Sequence, residues 1–184
     1  MNPDFSEGNM MWIVLSVITF ITGLILAFIG PNMLHYLFFS YGDVITIQTP
    51  MISNILFGAF GLLLSAFFFF MYKEGKVFKG AGFGALAVAL IVLVLSVTNY
   101  SILREEKIIH NDLFSFSADE YAWSEIEGAV LLKQNEEVEH DTLILKMSNG
   151  EDLAFHRNGQ MQSAFPKIDG MLQSNGIIFT FEER

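Results

Sequence analysis

The apolar positions of this chain follow two regimes. Up to residue 98 they come in long unbroken runs, and from residue 101 they alternate with polar positions over short stretches. Three runs fill the first regime, at residues 11–29, 51–72 and 81–98. At about 1.5 Å of rise per residue, each can cross a hydrocarbon core of roughly 30 Å as a helix, the third only just. The second run carries no charge, and Asn54 is its only side-chain amide. Between the second and third runs lies a turn, 73–80, that contains Lys73, Lys76 and Lys79, the first lysines in the sequence. The pattern predicts a membrane hairpin preceded by one further span. Residues 1–9 carry no Lys or Arg, unlike the basic start of a secretory signal, so the first run is read as a retained span that stops at Gly30-Pro31. Trp12 at one end of it and Tyr36, Phe38, Phe39 and Tyr41 beyond the other suit interfacial aromatic belts.

The link 32–50 is too apolar for a plain loop and is expected to lie along the bilayer surface or over the helix ends. Apart from its tyrosines, its ionisable side chains are His35 and Asp43. They are candidates for a proton- or metal-sensitive pair, against the plainer alternative of a satisfied or solvated pair at the interface. Small residues recur at helix-packing spacing: Thr19, Gly23 and Ala27; Asn54 and Gly58; Gly61 and Ser65; Gly80 and Gly84; Ala85 and Ala89. Such faces let helix backbones approach closely in lipid. They predict a compact three-helix bundle, with Asn54 bonded to a neighbouring helix.

After residue 100 the expected elements are short. Strands are predicted over 101–109 and 113–117 around a turn at His110-Asn111-Asp112. Alternation then puts Leu143, Leu145 and Met147 on one face, an Asn149-Gly150 two-residue turn follows, and Leu153 and Phe155 face inward on the return strand. Met161, Phe165, Ile168 and Leu172 fall at i, i+4, i+7 and i+11, one apolar stripe of a helix capped by Ser163 with Pro166 in its first turn. Residues 177–181 read as a last strand. The expected core joins Trp123, Ile126, Leu143, Leu145, Leu153, Phe155, Phe165, Ile168 and Leu172. The fold class predicted is a three-helix transmembrane region, 1–100, followed by an α+β domain, 101–184, with an antiparallel sheet or partly open barrel and one C-terminal amphipathic helix.

Phe114-Ser115-Phe116, the step Tyr121-Ala122-Trp123-Ser124-Glu125-Ile126 and the helix 161–172 carry a resemblance over about eighty residues. On these positions the chain resembles the bacterial pleckstrin-homology-like domains found in small multi-pass membrane proteins. The resemblance implies a binding and scaffolding fold without catalytic residues of its own. The chain departs from that pattern where it continues into a strand after the helix.

Charge sharpens the picture. The net charge is −10, and residues 101–184 hold sixteen acidic against seven basic side chains. An acidic domain repels phosphate backbones and anionic headgroups, so nucleic acid is excluded as a partner and lipid binding through a basic patch is disfavoured. No cysteine is present, which removes thiol chemistry and Cys-ligated zinc. His35, His110, His140 and His156 lack metal-ligand spacing, and no nucleophile-elbow, P-loop or dinucleotide motif occurs. Glu136, Glu137, Glu139 and Asp141 lack the spacing of a calcium loop. No catalytic, cofactor or metal site is therefore expected. Tyr121, Trp123, His35, Asp43 and Asn54 are the candidate interaction residues, with Trp123 either a ligand platform or, more simply, a core indole.

The expected function is that of a non-enzymatic plasma-membrane protein whose β-domain docks another membrane or envelope protein as an accessory, regulatory or immunity-type factor. A subunit of an oligomeric transporter or channel, with a second copy of the chain as partner, is the alternative class. Three lysines in the 73–80 turn against Arg104 and Lys107 after the third span favour the C-terminal domain outside the cytoplasm, whereas the resemblance implies a cytoplasmic domain.

Overall fold

The computed structural model describes residues 7–115, 117–133 and 141–182. Phe116, Glu136, Glu137, Glu139 and His140 lie outside these. The elements in order are α1 (Glu7–Phe39), β1 (Val44–Gln48), α2 (Met51–Tyr72), α3 (Lys76–Thr98), β2 (Tyr100–Arg104), β3 (Lys107–Asn111), β4 (Asp119–Ala122), a 3-10 turn (Trp123–Glu125), β5 (Ile126–Leu132), β6 (Thr142–Met147), β7 (Asp152–His156), α4 (Gly159–Ser174) and β8 (Phe179–Glu182). Three long apolar helices thus precede a sheet-containing domain with antiparallel strands and a C-terminal helix. The helices α1, α2 and α3 are long and apolar enough to cross a membrane.

The described residues divide into two compact units. One takes in α1 up to Leu37, Thr49–Asn99 and the turn that begins at Asp112; the other takes in Phe38–Gln48, Tyr100–Asn111 and the described residues from Ser117 onward.

In the helical unit, α1 does not stop at Gly30-Pro31. Pro31 lies inside the helix and is fully buried. A proline removes one backbone donor, a loss that neighbouring helices accommodate in apolar bundles. Gly30 explains the pair's place: a Cβ there would lie 2.8 Å from the Phe57 ring of α2. Further along, α1 and α2 touch backbone to backbone, since a Cβ on Gly61 would lie 2.7 Å from the Cα of Gly23. Gly58 meets Ala27 in the same stripe, and Ser53, Phe57, Gly61 and Ser65 form the buried face of α2. On α3 the buried positions are Gly82, Ala89 and Ser96. Gly80 and Gly84, expected to pack, face open space instead.

In the sheet unit, β1-β2-β3-β4 form one antiparallel sheet and β7-β6-β5-β8 a second. Residues 44–48, expected along the bilayer surface or over the helix ends, pair with β2, Val44 opposite Arg104 and Gln48 opposite Ser101. The first hairpin turns at Glu105-Glu106 rather than at His110-Asn111-Asp112, and residues 113–115 form a turn instead of a strand. Between β6 and β7 the loop is one residue longer than expected. The Met147 amide bonds to the Glu151 carbonyl across Ser148-Asn149-Gly150, with Gly150 at φ +88° supplying the left-handed position such loops require. Asn158, not Ser163, caps α4, its side chain accepting from the Met161 amide at 2.9 Å. The last strand is a parallel neighbour of β5, a pairing that needs a crossover, which α4 provides.

The alternation read from the sequence sets the core. Trp123, Ile126, Leu143, Leu145, Leu153, Phe155, Ile168 and Leu172 are buried in one cluster, with Phe165 packed against its edge. Leu103, Ile108 and Tyr121 of the first sheet join it, so both sheets and α4 share one apolar interior.

Candidate functional site

Arg104 draws together two of the five candidate residues. It ends β2, and its Nη1 donates to Asp43 Oδ1 at 2.9 Å and to the Tyr41 carbonyl at 3.1 Å. Its own carbonyl accepts the Trp123 indole N–H at 2.9 Å. The segment entering β1, the end of β2 and the 3-10 turn are thereby tied at one residue. The Arg104 guanidinium beside Asp43 holds that carboxyl below its ordinary pKa. Trp123 is 3% exposed with its one donor satisfied, which is the position of a core indole rather than of an open platform.

Tyr121 sits next to it, buried, and its hydroxyl donates to Glu151 Oε2 at 2.6 Å. The same oxygen accepts from Asn149 Nδ2 at 2.7 Å, so the β6–β7 loop is pinned to β4 through one carboxylate. Burial, and then the Glu151 bond and charge, push the Tyr121 phenol up to about 12. The Tyr121 hydroxyl, followed by the Asn149 amide, holds Glu151 below its usual value.

His35 and Asn54 belong to the helical unit. His35 is 1% exposed; its Nε2–H donates to the Val97 carbonyl at 3.0 Å and its Nδ1 meets Thr49 Oγ1 at 2.8 Å. Ser53 Oγ donates to the Asn99 carbonyl and Ser96 Oγ to the Ser53 carbonyl close by. The end of α3 is thus bound to α1 and to the start of α2. Asn54 Oδ1 accepts from Asn32 Nδ2 of α1 at 3.3 Å, the interhelical bond expected of a lone amide. His35 and Asp43, weighed together as a pair, have Thr49 with Val97 and Arg104 as their respective partners.

Two further histidines repeat one arrangement. His110 Nδ1 meets Ser101 Oγ at 2.8 Å and His156 Nδ1 meets Thr142 Oγ1 at 3.1 Å, in each case the directly opposite residue of the neighbouring strand. These are cross-strand pairs, and linear spacing gives no sign of them. Among the described residues no group of three His, Asp or Glu is placed to hold a metal ion.

Ile178 and Phe181, apolar and exposed, are not among the five candidate residues. After Asn99 the exposed large hydrophobic residues, among those described, are Phe114, Ile178 and Phe181. Ile178 and Phe181 line a cleft of about 640 Å³ with Phe165, Asp169, Gln173 and Ile177, between α4 and β8. β8 is the terminal strand of its sheet. Ile178 follows the buried Ile177 directly, and that doubling of isoleucine was the available sign of an outward apolar position. No protein-family model, curated protein or solved structure matches this chain.

Proposed function

We propose that the chain is a non-enzymatic plasma-membrane protein that crosses the bilayer three times and uses a pleckstrin-homology-like domain to dock another membrane or envelope protein. Its physiological role on this reading is accessory, regulatory or immunity-type. Membrane insertion is supported by the outward apolar side chains of the helices, among them Phe28, Met51, Ile91 and Val77, which water would not tolerate together. The pleckstrin-homology-like reading is supported by two sheets and a C-terminal helix around one core. The observation that carries docking is the α4–β8 cleft, where Ile178 at 82% and Phe181 at 68% exposure stand beside the free edge of a terminal strand. The helical hydroxyls favour docking over transport. Ser16, Ser53, Ser65 and Ser96 each donate to a carbonyl of a neighbouring segment, a packing role.

The domain is placed outside the cytoplasm on the lysines of the α2–α3 turn. Cysteines at Gly75 and Ser148 report the side when treated with a membrane-impermeant maleimide on intact cells, and labelling at Ser148 alone is expected. Docking is tested with a photoreactive residue at Phe181 of the full chain. A discrete adduct at Phe181, lost on Ile178→Asp and missing from a probe at Asp152, is the expected result. Equal adducts at positions 181 and 152 refute the cleft as the docking surface.

A further inference from the structure

We propose that the turn at Leu113-Phe114 is a membrane-interface anchor, its phenyl ring seated in the lipid at the acyl–headgroup boundary. This inference rests on the proposed insertion of the three helices. Tyr100 stands opposite Asn111 across the β2–β3 pair, so the residue after Asn111 emerges beside the residue before Tyr100, which is Asn99 at the end of α3. The turn from Asp112 accordingly belongs to the helical unit, not to the sheet unit that its flanking strands build.

The level of that turn along the helices follows from hydrogen bonds. His35 to Val97 and Ser53 to Asn99 put the end of α3 level with the last turns of α1 and the first turn of α2. At this level Tyr36 is 63% and Met51 75% exposed, and below it Ile91 and Val94 continue an outward apolar face along α3. Phe114, 77% exposed, adds an aromatic ring to the same rim, while Leu113 is half-buried. An aromatic side chain held out at the end of apolar spans, on a turn closed by the Ser115 amide to the Asp112 carbonyl, is placed as interfacial anchors are. Asp112, exposed on the same turn, occupies the hydrated headgroup layer. Anchoring of this kind needs no basic residue, which suits a domain whose charge repels anionic headgroups. The partner is therefore the hydrocarbon margin of a neutral bilayer, reached by one ring.

The cysteine-free chain allows a direct test. Phe114→Cys, Ile91→Cys and Ser148→Cys, each in the full-length protein in phosphatidylcholine vesicles, carry a nitroxide whose collisions with oxygen and with a water-soluble nickel chelate are measured. Oxygen concentrates in lipid and the chelate in water. The expected result is oxygen-dominated relaxation at 91, chelate-dominated relaxation at 148, and at 114 an oxygen-to-chelate ratio at least several-fold above that at 148. If 114 matches 148 while 91 stays oxygen-dominated, the anchor is overturned and the membrane reading stands. If 91 is also chelate-dominated, both are overturned.

Discussion

The helical unit and the sheet unit hide opposite kinds of residue. In the sheet unit the fully buried side chains are large and apolar, such as Phe155, Leu143, Leu145 and Ile168. In the helical unit they include Ser53, Ser96, Ala89 and His35, while Phe28, Ile91 and Val77 point outward. Burial of apolar surface is a driving force only where the surroundings are water. With lipid as the proposed surroundings of the helices, moving a leucine from outside to inside gains little, and close backbone approach and hydroxyl–carbonyl bonds must do the joining. Gly23 against Gly61 and Ser16 against Ser65 are that mechanism in this chain.

The same chemical change should therefore have unequal effects in the two units. Leu145→Ala, at a position 0% exposed, is expected to destabilise the sheet unit by about 2–5 kcal/mol, whereas Leu90→Ala, 53% exposed on α3, should stay within about 0.5 kcal/mol. Denaturation of the full chain in detergent, read by Trp123 fluorescence in a Trp12→Phe background for the first and by helical circular dichroism for the second, measures both. Equal effects would end the contrast. Next in size is Gly61→Ala, whose Cβ meets the Gly23 backbone at 2.7 Å and which overpacks the α1–α2 crossing at a cost of about 1–3 kcal/mol. Gly84→Ala, with nothing within 4 Å, should instead be neutral or stabilising by about 0.5–1 kcal/mol through helix propensity. Thermal melts in one detergent compare the two variants.

A smaller effect is expected of Ser65→Ala. It removes the bond that the Ser65 hydroxyl donates to the Ser16 carbonyl at 2.9 Å, leaves the Ser16 hydroxyl on the carbonyl of residue 65, and should cost about 0.6–1.7 kcal/mol in the same melts. The least is expected from pH, at Glu151 and Tyr121 of the sheet unit. Glu151 is held below its ordinary pKa in the folded chain, so its contribution is present above that ordinary value and is lost as pH falls through the folded one. Tyr121 is pushed up to about 12, so its contribution is full below the ordinary phenol value and is lost as pH rises through about 12. Glu151→Gln should flatten the acid limb and bring the phenol titration part of the way down, since burial, the largest cause of the shift, remains. Phenolate absorbance against pH reads this directly.

Both the helices and the phase of the strands were legible in the sequence because each is written in local periodicity. An unbroken apolar run over 51–72 has no solution other than a long helix, and it became Met51–Tyr72 without a shift. Alternation through Leu143, Leu145, Leu153 and Phe155 fixes which face is buried whatever the strands pair with. Of the candidate residues, Asn54 was legible in its role, since an amide alone in an apolar helix must find a partner on the next one. Asp43 and Trp123 were not, because their common partner, Arg104, is 61 residues from Asp43 and carries no mark of either.

What the tertiary structure alone decided is pairing between segments remote in the chain. Val44–Gln48 looks like a link between two spans, and only the free edge of β2, which follows the third, makes it a strand. Proline after glycine reads as a helix stop, but Phe57 from α2 packs on Gly30 and the helix runs on to Phe39. β8 lies parallel to β5 because α4 carries the chain back across the sheet. The turn at Leu113-Phe114 meets the helical unit because β2 and β3 are in register from Tyr100 to Asn111. Local sequence sets the geometry of an element through its own backbone and side chains, but the partner that satisfies an edge, a carbonyl or a packing face comes from elsewhere in the chain, and its identity is fixed only when the chain has closed.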